Sequence, residues 1–186
     1  MKMVKTTKIV KTTVFSSDLG WMGVAWAGRC LLELTFGHSS PGIAAQRLTQ
    51  TDSIPAEPDA LMGALIRRLQ AYARGDCGDD FRDVKLDLAD KTAFQRAVIH
   101  HCRRIPAGET LTYGELAARA GYAGAARAVG QVMATNRVPL VVPCHRVVAA
   151  NGRLGGYSAP GGLALKRRLL AAEGIHGQQL GAREPS

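Results

Sequence analysis

The pattern of apolar and polar positions divides the chain into two unlike halves. In the first, apolar residues fall in short runs, Val14-Phe15, Gly20-Trp21-Met22-Gly23-Val24-Ala25-Trp26 and Cys30-Leu31-Leu32-Glu33-Leu34-Thr35-Phe36. Runs of this length bounded by turn residues predict strands, and Gly28-Arg29 predicts a hairpin between the last two. Trp21 and Trp26 read as core or edge packing, and His38 as a loop residue beside Ser39-Ser40-Pro41-Gly42 with no evident partner. A short helix is expected over 43–50. Leu61, Leu65, Ile66 and Leu69 recur at helical spacing and predict a helix over 59–74, closed by Gly75-Asp76. From 78 to 90, Phe81, Val84, Leu86 and Leu88 alternate roughly, as in an extended strand or a linker.

The second half is richer in helix signals. Thr92 is a candidate N-cap for a helix over 93–102 with Phe94 and Val98 inward and Cys102 a further candidate. Thr112, with Glu115 three residues on, forms a capping-box pattern for a helix ending near Ala120. Gly121 closes it, and a turn through Tyr122 leads to a helix over 125–134, the spacing of a helix-turn-helix. That last helix begins Ala125-Ala126-Arg127-Ala128-Val129-Gly130, one long cation among small residues. Such a surface suits close approach to a nucleic-acid groove, and equally suits close packing of two helices. Asn136 to Pro139 then turns the chain into Val141-Val142-Pro143-Cys144-His145-Arg146-Val147-Val148, read as an apolar strand interrupted at its centre by proline, a thiol and an imidazole. Asn151-Gly152 signals a hairpin, and 155–162 a Gly-rich loop without the P-loop pattern. A final helix over 163–173 is expected to carry Lys166, Arg167 and Arg168 on its exposed side.

These elements indicate an α+β protein. The expected organisation is a flexible basic arm (1–13), an α+β scaffold domain (14–90), a C-terminal domain carrying the chemistry (91–176) and a loose tail (177–186). A length of 186 residues, 46% hydrophobic composition and mean hydropathy of −0.03 describe a globular chain able to bury a core. No apolar run reaches the roughly 18–20 residues of a membrane helix, so no membrane partner is expected through a spanning helix. The net charge of +9 favours an anionic partner, nucleic acid first and an anionic membrane surface second. Four singly spaced cysteines argue against a zinc ribbon or disulfide framework and for a reducing, cytoplasmic compartment. His100-His101 lacks a third ligand, so no metal is expected.

Taken alone, Cys144-His145 reads as an inert pair in a buried strand or as a nucleophile beside a base. The wider set favours chemistry. Pro143-Cys144-His145-Arg146-Val147-Val148, the Ala-Ala-Arg-Ala-Val-Gly helix around Arg127, Tyr113 in Thr-Tyr-Gly-Glu-Leu-Ala, Asn136, Gly156-Tyr157-Ser158 and Glu173-Gly174 together resemble the O6-alkylguanine-DNA alkyltransferases (methylated-DNA–protein-cysteine methyltransferases). The resemblance is strong over about 92–175 and general in character before it.

The resemblance implies a ribonuclease H-like N-terminal domain and a winged-helix-like C-terminal domain. It implies single-turnover transfer of an alkyl group from O6-alkylguanine, and also from O4-alkylthymine, to Cys144, with no cofactor. His145 would act as base through a water, Glu173 would orient it, Asn136 would brace the turn and Tyr113 would donate to the guanine. Pro143, Val147, Tyr157 and Ser158 would line the substrate pocket, with the backbone carbonyls of Cys144 and Val147 reading the exocyclic amine. Double-stranded DNA would be bound by a monomer through its minor groove. Arg127 would replace the flipped base, and Ala125, Ala126, Ala128, Gly130, Tyr113, Gln95 and Tyr122 would contact the duplex. Gln95, Gly114, Tyr122 and Ala150 depart from residues often found in relatives. The alternatives are a non-catalytic alkylguanine-DNA-binding relative, which would lack the active cysteine, a helix-turn-helix regulator, and a cysteine hydrolase.

Overall fold

A computed structural model describes residues 9–48, 53–150 and 152–176. The apolar runs of the N-terminal half form strands β1 (Val10–Phe15), β2 (Trp21–Ala27) and β3 (Cys30–His38). These three join β4 (Ser53–Pro55) in one sheet of order β3-β2-β1-β4, antiparallel except for the parallel β1–β4 pair. The expected basic arm is therefore shorter than 13 residues. Val10 to Thr13 lie in an internal strand, because Val and Thr suit a pleated, half-buried surface and their flanking lysines do not oppose it. Residues 1–8 and the expected tail from 177 lie outside the described residues. His38 is the last residue of β3, not a loop residue, and its Nε2 lies 2.6 Å from Thr35 Oγ1.

Helix α1 (Pro41–Arg47) begins two residues before the expected start. Ser40 caps it by accepting from Ile43 N, and Pro41 supplies a first turn that needs no donor. Helix α2 (Ala60–Ala73) is capped by Asp59 and buries Met62, Leu65, Leu69 and Tyr72. The buried stripe is rotated from the expected one, leaving Leu61 48% exposed. Residues 78–90 make turns, with one isolated bridge from Leu86 to Leu31.

In the C-terminal half, α3 (Ala93–Cys102) and α4 (Tyr113–Arg119) both open with complete capping boxes, Thr92 with Gln95 and Thr112 with Glu115. Helix α5 (Ala126–Ala134) follows a turn closed by Gly121 at φ 86°. Strands β5 (Leu111–Thr112) and β6 (Val147–Val148) pair in parallel, so the first residue of α4, Tyr113, emerges beside the active-strand segment. Helix α6 (Gly162–Ala172) is the last element among the described residues.

The expected strand over 141–148 is mostly absent. Val147–Val148 pairs as a strand, Val142 makes only an isolated bridge to Pro139, and Cys144–Arg146 form a 3-10 turn closed by Arg146 N donating to Pro143 O at 2.9 Å. Pro143, lacking a donor and fixed near φ −78°, ends ladder pairing ahead of the thiol. Buried residues from Leu19 to Leu169 form one hydrophobic cluster that draws on both halves.

Because Thr112 fixes the first turn of α4, Thr112→Ala is expected to lower stability by about 1 kcal/mol in urea unfolding. An unchanged midpoint would show that the cap is dispensable.

Candidate active site

The 3-10 turn places Cys144 and His145 on successive positions roughly 120° apart, and both are buried, at 6% and 0% exposure. Burial pushes the Cys144 thiol above its ordinary range, against the Asn136 side chain and the Lys166 cation, which favour the thiolate. At neutral pH the thiol therefore stays protonated and needs a base to become a nucleophile.

Behind it lies a buried carboxylate. Glu173 Oε1 accepts from His145 Nε2 at 2.9 Å, from Arg146 Nη2 at 2.8 Å and from Tyr72 Oη at 2.5 Å, and Oε2 accepts from Arg146 Nε at 3.0 Å. Arg146 Nη1 also donates to Ile105 O at 2.6 Å. Burial alone would raise the Glu173 pKa, but the hydrogen bonds from His145 and Arg146 outweigh it and hold the group at about 2. An ionised carboxylate only accepts, so His145 must carry its proton on Nε2. Burial lowers the His145 pKa and keeps the ring neutral, against the pull of Glu173. Its Nδ1 is thus a lone pair, buried and without a protein partner among the described residues.

Glycines set the pocket's walls. The Tyr113 ring packs between Gly130, where an added Cβ would lie 4.0 Å from the ring, and Gly155, where it would lie 3.0 Å from Tyr113 Oη. A cavity of about 420 Å³ is lined by Tyr113, Gly130, Met133, Ala134, Cys144, Gly156, Tyr157 and Ser158. A second, of about 570 Å³, meets it at Cys144, Tyr157 and Ser158 and extends past Asn136 and Pro139 to Thr35 on β3. Tyr157 Oη is buried without a partner among the described residues. Asn136 donates from Nδ2 to Val142 O at 2.8 Å and accepts at Oδ1 from Val138 N at 3.1 Å. It thereby ties the end of α5 to the approach of the 3-10 turn.

Two expected pocket residues stand apart from both cavities. Pro143 shapes the turn, and Val147 O accepts from Lys166 Nζ at 2.6 Å. Cys144 O accepts from Val147 N. Arg127 and Ala128 are exposed on α5, Ala125, Ala126 and Gly130 are half-buried, and Tyr122 is 39% exposed with its ring edge-on to Phe94 at 4.9 Å. The Gln95 side chain accepts from Thr92 N at 2.9 Å, so it serves the cap of α3. Among the described residues no three His, Cys, Asp or Glu side chains converge as a metal site, and no helix is long and apolar enough to cross a membrane.

Sequence reasoning missed three contributors. Lys166, expected on the exposed side of α6, is fully buried and donates to the carbonyls of Val147, Leu154 and, at 3.4 Å, Gly156. Burial lowers its pKa to about 8, against the pull of Cys144. The flanking Arg167 and Arg168 are exposed as expected; nothing in a run of three cations distinguishes the one that turns inward. Tyr72 was hidden because the N-terminal half showed no chemistry of its own, although it continues the apolar spacing of Leu65 and Leu69. Arg146 was read as part of a motif without a role.

Glu173 makes acid stability a direct readout. Its folded pKa lies below the unfolded value of about 4.5, so its stabilisation is full above pH 4.5 and is lost as pH falls toward 2. Urea unfolding of the wild type should lose about 3 kcal/mol more across that window than Glu173→Gln. Parallel pH dependences would deny the buried anion.

Comparison with known proteins assigns residues 93–175 to the family model 6-O-methylguanine DNA methyltransferase, DNA binding domain. The methylated-DNA–protein-cysteine methyltransferase of Mycolicibacterium paratuberculosis is 46% identical over 64% of this chain and 68% of its own. That of Cricetulus griseus is 34% identical over 95% of this chain and 88% of its own. Among solved structures, Mycobacterium tuberculosis OGT in complex with DNA matches with a TM-score of 0.72 at 36% identity, covering 88% of this chain and 93% of that one. Taken with the buried thiol, imidazole and carboxylate, these likenesses show that the chain belongs to the methylated-DNA–protein-cysteine methyltransferase family.

Proposed function

We propose that Cys144 accepts an alkyl group from O6-alkylguanine in duplex DNA, and from O4-alkylthymine as a second substrate. DNA repair by alkyl transfer is the activity of the family to which the chain belongs. The observation that carries the assignment of roles is the buried His145, whose Nε2–H is committed to Glu173 while its Nδ1 lone pair has no protein partner. In this reading a water between Cys144 Sγ and His145 Nδ1 passes the thiol proton to the imidazole, and Glu173 stabilises the imidazolium. Sγ bonds to the alkyl carbon as the O6–carbon bond breaks and its electron pair stays on the guanine. Tyr113 donates toward the ring, and the proton lost by the thiol finally rests on the released guanine. This is the division of labour of a hydrolase triad turned to alkyl transfer. The thioether is not returned to a thiol by water, so each molecule acts once, without a cofactor.

The base reaches the pocket by leaving the stack. Helix α5 suits the minor groove, because Ala125, Ala126, Ala128 and Gly130 present little bulk and Arg127 projects from among them into solvent. Arg127 fills the vacated position, and the net charge of +9 supplies phosphate attraction with little sequence preference. That a relative was solved in complex with DNA supports the same partner. Tyr157 and the adjoining Ser158 line the cavity and, in this reading, cover the base. Cys144 O, which also accepts from Val147 N, is read as an acceptor for the exocyclic amine, together with Val147 O, which also accepts from Lys166. The meander β1–β2–β3 with β4 added parallel to β1 supports a ribonuclease H-like N-terminal half, and α4–α5 beside β5–β6 a winged-helix-like C-terminal half. The protein is read as a monomer, and its thiol suits a reducing compartment such as the cytoplasm.

Incubation with duplex O6-methylguanine is expected to add one methyl mass to the Cys144 peptide, once per molecule, and Cys144→Ala should bind DNA without gaining mass. Methyl on another residue, or repeated turnover, would contradict the assignment. Arg127→Ala should slow repair in duplex by roughly tenfold or more, the loss of about 1.4 kcal/mol or more of flipping support, while transfer from free O6-benzylguanine stays near wild type. Equal losses on both substrates would remove the flipping role.

A further inference from the structure

Tyr72 is the N-terminal half's direct contact with the chemistry. Helix α2 delivers its buried phenol to the carboxylate, where Oη donates to Glu173 Oε1 at 2.5 Å and lies 3.2 Å from His145 Nε2. Its ring meets the His145 ring edge-on, with centroids 6.4 Å apart, and the Phe81 ring on its other side at 6.1 Å. Phe81 sits at φ 52°, a conformation L residues rarely adopt. The conformation is held by Asp79 accepting from Phe81 N at 2.9 Å, by Arg103 Nη2 donating to Phe81 O at 2.7 Å, and by Arg68 5.2 Å from the ring centroid. A strained residue so over-determined indicates that the position of the tyrosine behind it matters.

We propose that Tyr72 is a positioning residue for alkyl transfer, its hydroxyl sharing Glu173 Oε1 with His145 and so setting how strongly the carboxylate pulls on the imidazole. The proposal rests on the roles given above to Cys144 and His145. A hydroxyl on a carboxylate at 2.5 Å is a short, charge-assisted bond, stronger than the 2.9 Å bond from the imidazole to the same oxygen. By drawing charge from Oε1 it moderates the attraction for a second proton on the ring. The resting imidazole stays neutral and its Nδ1 stays free to act as base. Remove the hydroxyl, and Glu173, kept ionised by Arg146, holds the imidazolium more tightly. The other groups facing this pair are Cys77 beyond α2, Lys166 on α6, Tyr157 on the loop and Cys144. Tyr72→Phe removes only the hydroxyl and leaves the composition of this set unchanged.

The test is the pH–rate profile of alkyl transfer from free O6-benzylguanine in wild type and Tyr72→Phe, with the His145 Cε1 resonance followed by NMR over the same range. Tyr72→Phe should move both the acid midpoint of the rate and the imidazole titration to higher pH by roughly half a unit or more, slowing transfer about threefold on the acid side. Loss of packing alone would lower the rate at every pH and leave the midpoint in place, so an unmoved or downward-shifted midpoint overturns the proposal. A wild-type protein that leaves Cys144 unalkylated would sink the transfer reading itself, a separate outcome visible before the variant is compared.

Discussion

The structure turns on one buried anion. Glu173, at the end of α6, accepts from His145 and Arg146 on the 3-10 turn and from Tyr72 on α2. Three segments far apart in sequence thus meet on a single carboxylate. An ionised carboxylate away from water is tolerated only when charge and hydrogen bonds compensate it, and removing one partner of such a pair typically costs about 3–5 kcal/mol. Arg146 supplies the charge and is itself braced on Ile105 O. With the anion secured, the tautomer of His145 is determined, and with the tautomer the face of the ring that can accept a proton. The geometry of the turn, the ionisation of the carboxylate and the availability of the base are one constraint.

A second buried charge also acts on the thiol. Lys166 gathers the carbonyls of Val147, Leu154 and Gly156, joining the active turn to the loop that walls the pocket. That loop in turn presses Gly155 against Tyr113. Any side chain at 155 would both clash with the phenol and strain a backbone at φ 66°. The cation favours the Cys144 thiolate, and in the proposed reading His145 offers the base. The thiol itself remains protonated by burial until a proton path is used.

Much of the site was legible in the chain because its signals are local. Capping boxes at Thr92 and Thr112, glycine at 121 and 174, and the Pro143-Cys144-His145-Arg146 run each state their structure within a few residues. What escaped depends on long-range packing. Tyr72 meets Glu173 across 101 positions, and no periodicity of α2 distinguishes a core tyrosine from one reaching a carboxylate. Lys166 sits between neighbours of the same charge class, so only the packing of α6 shows that it points inward. The strand expected around Cys144 failed for a physical reason present in the sequence. Pro143 interrupts pairing, and the chain answers with a turn that aims thiol and imidazole differently from the opposite faces of a strand. Residues 10–13 misled in the other direction, since their lysines masked strand-forming Val and Thr.

The central claim is that Cys144 reacts through a proton shared with the Glu173-anchored His145, not as a lone thiolate. The most direct measurement is the wild-type rate of alkyl transfer to Cys144 between pH 7 and pH 8. If the neutral imidazole takes the proton, that rate is flat, because the thiol–imidazole pair holds a single proton throughout the interval. A rate rising about tenfold per pH unit, as expected for a thiol ionising on its own below its pKa, would contradict the account.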